Sequence, residues 1–416
     1  MLSPVAALCR HGLLALLVLA GCAAPPAEFV ADPALRRDAA TLFFAAARPE
    51  DLYDLARARF RADCARQPGA ACASTPVAEG DGLTIDTGFF PANRPGGGDR
   101  LLVLQSGIHG SEAPAGSAAQ ALFMRDFLAA YRAQGVDVFV IHALNPWGFR
   151  HGRRTDGANV NLNRNFSPDD SIYALANPDY DRHRALFEPG GQVGDAGVAR
   201  ASTMAGFLAA VLGDGFSSKR LNIGLDQGQY AAPLGLNYGG AGPTQQVAFL
   251  RRVLPPLFRA RPYRRILFLD FHTGLGQAGE LAVIRGIRPE PTLLEEMSGR
   301  LQGQAGIVFS GPDSPGNFPT TGDVIDFVPA MAPDPTKALA VTLEYGTLGG
   351  DTLSLLRSAA IMIRENQMHH AGCADPEDCR ATRDAFRQLF NPGDGVWRSQ
   401  VLARAHGVFA GLAAGF

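Results

Sequence analysis

Two residues of a short glycine-flanked turn have the types and spacing of metal ligands. His109 and Glu112 lie three positions apart within residues 107–112, just after the apolar run 101–104. An imidazole and a carboxylate at this spacing can reach one divalent cation, and zinc accepts mixed nitrogen and oxygen ligands. A polar loop that follows a buried strand would place the same residue types there without any metal. The turn alone therefore leaves both interpretations open.

Two more candidate groups follow predicted strands later in the chain. His272 comes directly after an apolar strand predicted over residues 265–271, and Glu344 follows the strand predicted over residues 338–343. The carboxyl ends of strands in an α/β sheet are where such folds place their chemistry, so we expect these residues to meet the turn at 107–112. Each histidine could instead be a hydrogen-bonded core residue, and each glutamate a helix cap or an ion-pair partner. Four such residues at strand ends favour a shared site.

The elements that must position these groups alternate between strand and helix. Strands are predicted over 101–104, 136–143, 265–271, 280–285 and 338–343, with edge strands or a hairpin over 76–90. Helices are predicted within 33–66 and over 118–131, 201–212, 246–257, 291–305 and 352–367. Residues 167–200 are expected to form surface excursions, and residues 222–243 an irregular insertion that shapes the site. This alternation predicts an α/β fold whose largely parallel sheet is covered by helices on both faces.

The composition is that of an ordinary globular protein. The 416 residues are 46% hydrophobic and 19% charged, with a formal net charge of −2. This balance supplies enough apolar material for a large core, and no basic excess indicates a nucleic-acid partner. Because no repeat or separating linker interrupts it, the stretch 34–416 is predicted to be one domain with loop insertions.

Residues 1–21 have the features of a lipoprotein export signal. Arg10 precedes the apolar run 13–20, which is too short to span a bilayer as a helix. Small residues precede Cys22, and residues 22–33 form a tether of small residues and prolines, so the region resembles the lipobox of bacterial lipoproteins. The alternatives are a plain signal peptide or an N-terminal helix with an incidental cysteine. We expect an exported protein, lipid-anchored through Cys22 at a bacterial membrane and facing the periplasm or the cell exterior.

Four further cysteines form two close pairs in loop-like sequence. Cys64 and Cys72 make the first pair, and Cys373 and Cys379 the second. Short disulfide loops are predicted for both pairs, since an exported protein reaches an oxidising compartment. A four-cysteine zinc site is the alternative, but it lacks the usual spacing of two residues between ligands.

A longer polar segment makes the pattern specific. Residues 145–166 contain two adjacent arginines and the run Asn-Val-Asn-Leu-Asn-Arg-Asn-Phe. Together with residues 106–112, 238–240, 270–276 and 344–347, this segment resembles the M14 zinc carboxypeptidase superfamily and, more closely, its DUF2817 branch. The resemblance spans residues 80–370. It implies a carboxypeptidase-like three-layer α/β/α fold with a mixed, mostly parallel central sheet.

The resemblance also implies a role for each matching residue at the centre of the site. His109, Glu112 and His272 would bind one zinc ion and leave the open position that a catalytic zinc needs. Glu344 would be the general base. Arg153 aligns best with the arginine that polarises the substrate carbonyl, and Arg154 competes for that role.

Other matching residues would bind substrate or support the ligands. Asn163 and Arg164 correspond to the pair that grips a terminal carboxylate, a task that suits a planar guanidinium. Asp270 lies on the same strand face as His272 and could orient an imidazole, although an ordinary buried aspartate is as good an interpretation. Tyr238, like Tyr230, is a weak candidate for lining the pocket.

One departure from the family pattern stands out. Asn161 replaces the usual aspartate, which removes a charge near the site and is expected to leave the proposed catalytic groups untouched.

These residues imply a zinc-dependent hydrolase that cleaves an amide or peptide bond next to a free carboxylate. A carboxypeptidase acting on peptides is the leading hypothesis, and an aspartoacylase-like deacylase acting on N-acyl amino acids is the alternative within the class. A catalytically silent binding protein on the same fold is an alternative of another class. A serine hydrolase is disfavoured, because the chain contains no Gly-x-Ser-x-Gly elbow.

Overall fold

The computed structural model describes residues 33–194, 196–215, 219–312, 314, 320–413 and 415. The predicted export signal, Cys22 and nearly all of the predicted tether lie outside these residues. Among the described helices, none combines the length and apolar character needed to cross a membrane.

Eight strands form one mixed sheet. They are β1 (Ala71–Pro76), β2 (Thr84–Phe90), β3 (Arg100–Ser106), β4 (Val136–His142), β5 (Arg265–Gly274), β6 (Leu281–Arg285), β7 (Ile307–Ser310) and β8 (Ala338–Gly346). Their spatial order is β1-β2-β4-β3-β5-β8-β6-β7. The pairs β4/β3, β3/β5, β5/β8 and β6/β7 are parallel, whereas β1/β2, β2/β4 and β6/β8 are antiparallel. The predicted mixed, mostly parallel sheet is therefore confirmed.

Fourteen α-helices are described around this sheet. They are α1 (Pro33–Leu42), α2 (Leu52–Arg66), α3 (Ala113–Asp126), α4 (Leu128–Ala133), α5 (Pro146–His151), α6 (Pro178–Phe187), α7 (Ala196–Gly213), α8 (Lys219–Asp226), α9 (Gln245–Arg259), α10 (Pro291–Leu301), α11 (Val324–Ala330), α12 (Thr352–Ala371), α13 (Pro376–Phe390) and α14 (Gly395–Ala413). Single 3₁₀ turns include Gly110–Glu112 and Leu162–Arg164, both of which carry candidate site residues.

Helices cover both faces of the sheet, as the predicted three-layer architecture requires. Alternate residues of a strand point to opposite faces, so the apolar central strands must be covered twice. Leu102 of β3 packs in a core that includes residues of α3 and α14, whereas Val103 packs in a second core with residues of α9 and α11. His272 and Glu344 have the parity of the second face, at the carboxyl ends of β5 and β8.

Several elements differ from the sequence-based prediction. The predicted surface excursion over 167–200 contains α6, and the predicted insertion over 222–243 begins inside α8. The sequence pattern does not predict helix α13, because residues 375–377 are typical of a loop. In the structure, Asp375 caps this helix by accepting a hydrogen bond from the backbone of Glu377, and Pro376 occupies the first turn. Proline at this position is compatible with a helix start, since the N–H it lacks would have no intrahelical partner.

Both predicted disulfides are present. Cys64 is bonded to Cys72 and Cys373 to Cys379, with Cα–Cα separations of 6.2 and 5.7 Å. The first joins the end of α2 to β1, and the second ties the loop after α12 to the start of α13. These bonds exclude a four-cysteine zinc site.

Candidate metal centre and substrate cavity

The turn that carries His109 and Glu112 is shaped by close backbone approach at two glycines. Gly107 has a φ of +69°, and a Cβ at that position would lie 2.7 Å from the Cβ of Ala143. A Cβ at Gly110 would lie 1.9 Å from the carbonyl carbon of Gly148 in α5. Only glycine fits both positions, so β3 can end in a tight turn that holds the two side chains beneath the loop.

The structure brings His109, Glu112 and His272 together as the one described group of three residues able to hold a metal ion. Their ligand atoms all lie within 4.8 Å of one another. Glu112 Oε1 is 2.8 Å from His109 Nδ1, and Glu112 Oε2 is 3.1 Å from His272 Nδ1. The two imidazole rings meet edge to face with centroids 4.8 Å apart. All three residues are buried.

Hydrogen bonds on the far side of each ring orient the two imidazoles. Nε2 of His272 lies 2.7 Å from Oδ2 of Asp270, whose other oxygen accepts a hydrogen bond from Gln105. Nε2 of His109 lies 3.0 Å from Oδ1 of Asn161. An acceptor at Nε2 favours the tautomer with its proton there, which leaves the Nδ1 lone pair directed at the shared centre. In that tautomer no proton lies between Nδ1 of His109 and Oε1 of Glu112, which are 2.8 Å apart, as expected for two atoms that would share a cation.

The charges of His109 and Glu112 suit a cation, whereas for His272 burial acts to lower the pKa but Asp270 and Glu112 outweigh it and hold the pKa above its usual value. Burial lowers the pKa of His109 to about 3, which keeps this imidazole neutral. Burial acts to raise the pKa of Glu112, but the neighbouring His109 and His272 outweigh it and hold the pKa below its usual range. A neutral imidazole and an ionised carboxylate are the states in which these groups bind metal.

Glu344 lies directly beside this group. It pairs with His272 across the β5/β8 ladder, and its Oε1 accepts a hydrogen bond of 2.8 Å from the backbone of Leu275. Burial, with a contribution from the nearby Glu112, raises the pKa of Glu344 to about 7. A carboxylate with this pKa can both accept and release a proton near neutral pH.

The group opens onto a cavity of about 250 Å³. The cavity lining contains the three metal-binding candidates together with Glu344, Arg154, Asn163 and Arg164. Of the other predicted site residues, Arg153, Asp270 and Tyr238 do not line it. The predicted residues thus separate into those that reach the cavity and those that lie behind it.

Arg153 is not where the resemblance placed it. Its guanidinium forms a buried ion pair with Glu365 of α12, with 2.9 Å between Nε and Oε1, and it also donates to Asn159 and Asn366. Arg153 does not line the cavity, so the structure does not bring it together with the other predicted site residues. The adjacent Arg154 lines the cavity, with its Nε 3.6 Å from Oε1 of Glu112.

Asn163 and Arg164 reach the cavity from a 3₁₀ turn. Arg164 donates through Nε to the backbone oxygen of Asp226 at 2.7 Å, and through Nη1 to the backbone oxygen of Asn163 at 2.8 Å. Its Nη2 forms no hydrogen bond with a described residue. Tyr230 braces the turn by donating to the backbone oxygen of Arg164. Tyr238 packs in an apolar core, so its ring has no direct part in the cavity.

A model of the family "Protein of unknown function (DUF2817)" matches residues 50–404. The chain belongs to the DUF2817 family. This match confirms the resemblance found in the sequence motifs. Comparison with curated proteins finds no relative.

Solved structures similar to this DUF2817 protein include three carboxypeptidases. Carboxypeptidase A from Helicoverpa armigera is 12% identical, with a TM-score of 0.41 and coverage of 76% of this chain and 69% of that one. A metallo-carboxypeptidase from Burkholderia cenocepacia is 11% identical, with a TM-score of 0.39 and coverage of 85% and 68%. A metallo-carboxypeptidase from Pseudomonas aeruginosa is 13% identical, with a TM-score of 0.38 and coverage of 85% and 68%.

The DUF2817 protein has further site residues that sequence reasoning missed. Asn161, which was noted only as a departure that removes a charge near the site, contacts the proposed metal ligand His109. Thr342, Asp323 and Asp326 line the cavity. Thr342 could have been found, because it lies two residues before Glu344 and so on the same face of β8. Asp323 and Asp326 begin a short helix after a segment with no strand signal, and nothing in the sequence pointed to them.

Proposed function

We propose that this protein is a zinc-dependent hydrolase that cleaves an amide or peptide bond next to a free carboxylate. The observation that carries the proposal is the buried group of His109, Glu112 and His272 beside the cavity. Two imidazoles and one carboxylate are a ligand set of catalytic zinc, and three protein ligands leave a position open. The buried Nδ1 of His109, which faces Oε1 of Glu112 at 2.8 Å and has no proton in the favoured tautomer, supports the fit. A bound zinc ion would supply a Lewis acid and lower the pKa of a water molecule towards neutrality.

Glu344 is the proposed general base. Its Oε1 is held by the backbone of Leu275, so the carboxylate has a fixed position next to His272. It takes a proton from the attacking water and passes it to the leaving amine. Its pKa of about 7 suits both transfers.

Two arginines would hold the substrate. Arg154 lies 3.6 Å from Glu112 and directs its charge into the cavity, where it stabilises the negative charge that develops on the substrate carbonyl oxygen. Arg164, with its unbonded Nη2, and Asn163 bind the free carboxylate. Since both arginines and Glu344 face one cavity, the scissile bond and the carboxylate must belong to the same small region of the substrate.

Metal analysis and a substrate panel test the proposal together. The purified protein is expected to bind about one zinc ion per chain, as one site with three ligands implies. Glu344→Gln should keep the zinc but lose activity by at least about 100-fold, since it removes the general base. His109→Ala should lose both metal and activity. Turnover is measured at pH 8, where Glu344 is ionised, on peptides and on N-acyl amino acids.

Each alternative predicts a different result from this panel. Cleavage of N-acyl amino acids but not of peptides would assign the protein to the deacylase class. Zinc binding without turnover of any compound would favour a silent binding protein. A protein that cannot be loaded with metal would refute the proposal outright. Glu377→Gln serves as the matched control, because Glu377 is exposed and lies outside the cavity.

A further inference from the structure

The part of the cavity beyond the metal-binding candidates contains two carboxylates. Asp323 precedes α11, and its Oδ1 accepts a hydrogen bond of 3.1 Å from the backbone of Ile325. Asp326 lies in the first turn of α11, and its Oδ1 accepts a hydrogen bond of 2.8 Å from the backbone of Ile287. Neither forms an ion pair with a described residue. Burial raises the pKa of Asp326 to about 6, so this carboxylate is ionised at pH 8, and Oδ2 of Asp323 also accepts a hydrogen bond of 3.3 Å from the Thr320 hydroxyl. A carboxylate oxygen has more than one lone pair, so both groups can still accept a hydrogen bond from a ligand in the cavity.

Hydrogen bonds join the start of α11 to the segment that carries Asn163 and Arg164, the residues proposed to bind the substrate carboxylate. Val324 donates through its backbone N–H to Oδ1 of Asn163 at 2.9 Å. Two residues earlier, Gly322 accepts a hydrogen bond of 3.1 Å from the backbone of Phe166. A residue whose carboxylate is held by Asn163 and Arg164 therefore has the two aspartates within reach of its own side chain.

The hydroxyl of Thr342 lies on the cavity wall between the metal-binding candidates and the two aspartates. Thr342 is 6% exposed, lines the cavity and shares its strand face with Glu344. Its hydroxyl forms no hydrogen bond with a described group, so it is available to a ligand. Ile284, which pairs with Thr342 across the sheet, and Ile325 add apolar wall on the same side. An apolar wall that leads to two carboxylates suits an aliphatic stem with a cationic end.

Two arginines lie near the two aspartates. Arg285 lines the cavity, and its Nη1 donates to the backbone oxygen of Gly286 at 3.2 Å. Arg288 acts on Asp326 through a backbone hydrogen bond and through its charge. The lining at this end therefore contains two carboxylates, those of Asp323 and Asp326, and one guanidinium, that of Arg285. Burial raises the pKa of Asp270, and the nearby Asp323 adds to this effect.

We propose that Asp323 and Asp326 select substrates in which the residue bearing the free carboxylate has a cationic side chain, an amine or a guanidinium on an aliphatic stem. The inference rests on the proposed function, because it assumes that Asn163 and Arg164 hold that carboxylate. The aspartates bind the cation, the isoleucines contact the stem, and the Thr342 hydroxyl accepts a further hydrogen bond.

Kinetics on matched substrates test the inference. Zinc-loaded wild-type protein is given acyl-dipeptides that differ only in a terminal arginine, lysine, norleucine or glutamate. We expect kcat/KM for arginine and lysine to exceed that for norleucine by about tenfold or more. Asp323→Asn, Asp326→Asn and the double variant should reduce this ratio, mainly through KM. Asparagine retains the capping oxygen of Asp323, so the helix start is preserved. Asp351→Asn, which removes a charge from a capping aspartate outside the cavity, should leave the ratio unchanged.

Binding measurements separate this inference from the proposed hydrolysis. Calorimetric titration of Glu344→Gln with free arginine should give tighter binding than with norleucine, and the added double aspartate substitution should abolish the difference. That result would support the inference even if no peptide were cleaved. Cleavage with a preference for norleucine or glutamate, or an unchanged ratio in the double variant, would overturn the inference and leave the hydrolase proposal standing.

Discussion

Two buried charged clusters meet at the adjacent residues Arg153 and Arg154, and they are built in opposite ways. Arg153 is paired with Glu365, and the amides of Asn159 and Asn366 complete a cluster that lies behind the cavity. The other cluster contains Glu112 and two histidines, and the nearest guanidinium, that of Arg154, stays 3.6 Å away. The first cluster neutralises its charge internally, whereas the second directs three ligand atoms at one shared centre.

This difference separates a structural ion pair from a candidate active site. Desolvated charges are costly unless they are paired, so the Arg153 cluster is explained by the fold alone. In the cluster of His109, Glu112 and His272 the ligand atoms all lie within 4.8 Å of one another, and the guanidinium of Arg154 reaches only one of them, Oε1 of Glu112, at 3.6 Å. Bound metal is the simplest neutralising partner. The comparison predicts that one cluster supports stability and the other supports chemistry.

The largest effect is expected from breaking the structural cluster. Arg153→Ala should lower the free energy of unfolding by about 3–5 kcal/mol, because it leaves the buried carboxylate of Glu365 without its partner. Chemical denaturation measures this loss. The folded fraction should still bind zinc, since Arg153 does not line the cavity.

A double substitution is the control for this prediction. Arg153→Met combined with Glu365→Leu removes both charges and should recover much of the lost stability. A loss of activity in Arg153→Ala without a loss of stability would contradict the structural role and return Arg153 to the site.

Arg154→Ala should have a smaller effect, and this effect should be on catalysis instead of on stability. We expect kcat/KM to fall by about 100–1,000-fold, which corresponds to about 2.7–4 kcal/mol of transition-state stabilisation, while the free energy of unfolding changes little. Steady-state kinetics on a confirmed substrate, alongside chemical denaturation, measure both quantities. Arg154→Lys keeps the charge but not the planar donors, so it should fall between wild type and Arg154→Ala. Equal rates in all three proteins would show that Arg154 takes no part in the reaction.

Much of this site could be predicted because the sequence pattern locates the ends of the strands. The buried runs before His109, His272 and Glu344 are apolar and uninterrupted, so their ends were located within a few residues. Once the strands are parallel neighbours, their ends must converge, and the pairing of His272 with Glu344 follows from register.

The roles of Arg153 and Arg154 could not be separated in the same way. Both lie in an irregular loop, where no periodicity states which side chain faces inwards. The direction of Arg153 depends on Glu365 and Asn366 of α12, more than 200 residues later in the chain, and that of Arg154 depends on Asn237. The acidic end of the cavity was missed for the same reason, since Asp323 and Asp326 are placed by contacts with Asn163 and Ile287.

The smallest effect is expected from the hydrogen bonds that orient the imidazoles of His109 and His272. A carboxylate, Asp270, orients His272, whereas only an amide, Asn161, orients His109. Asn161→Ala should weaken zinc binding by about 10–100-fold, because it frees the imidazole of His109 to rotate and to change tautomer. Competition with a chelator of known affinity measures the change.

Asn177→Ala is the matched control for Asn161→Ala. Asn177 is also buried, but it caps α6 by accepting a hydrogen bond from the backbone of Tyr180, away from the cavity. Its loss should lower stability by about 1 kcal/mol and leave the zinc affinity unchanged. If Asn161→Ala instead kept its zinc affinity and lost only stability, Asn161 would belong with Arg153 among the structural residues. The orientation of the His109 imidazole would then depend on its contact with Glu112 alone.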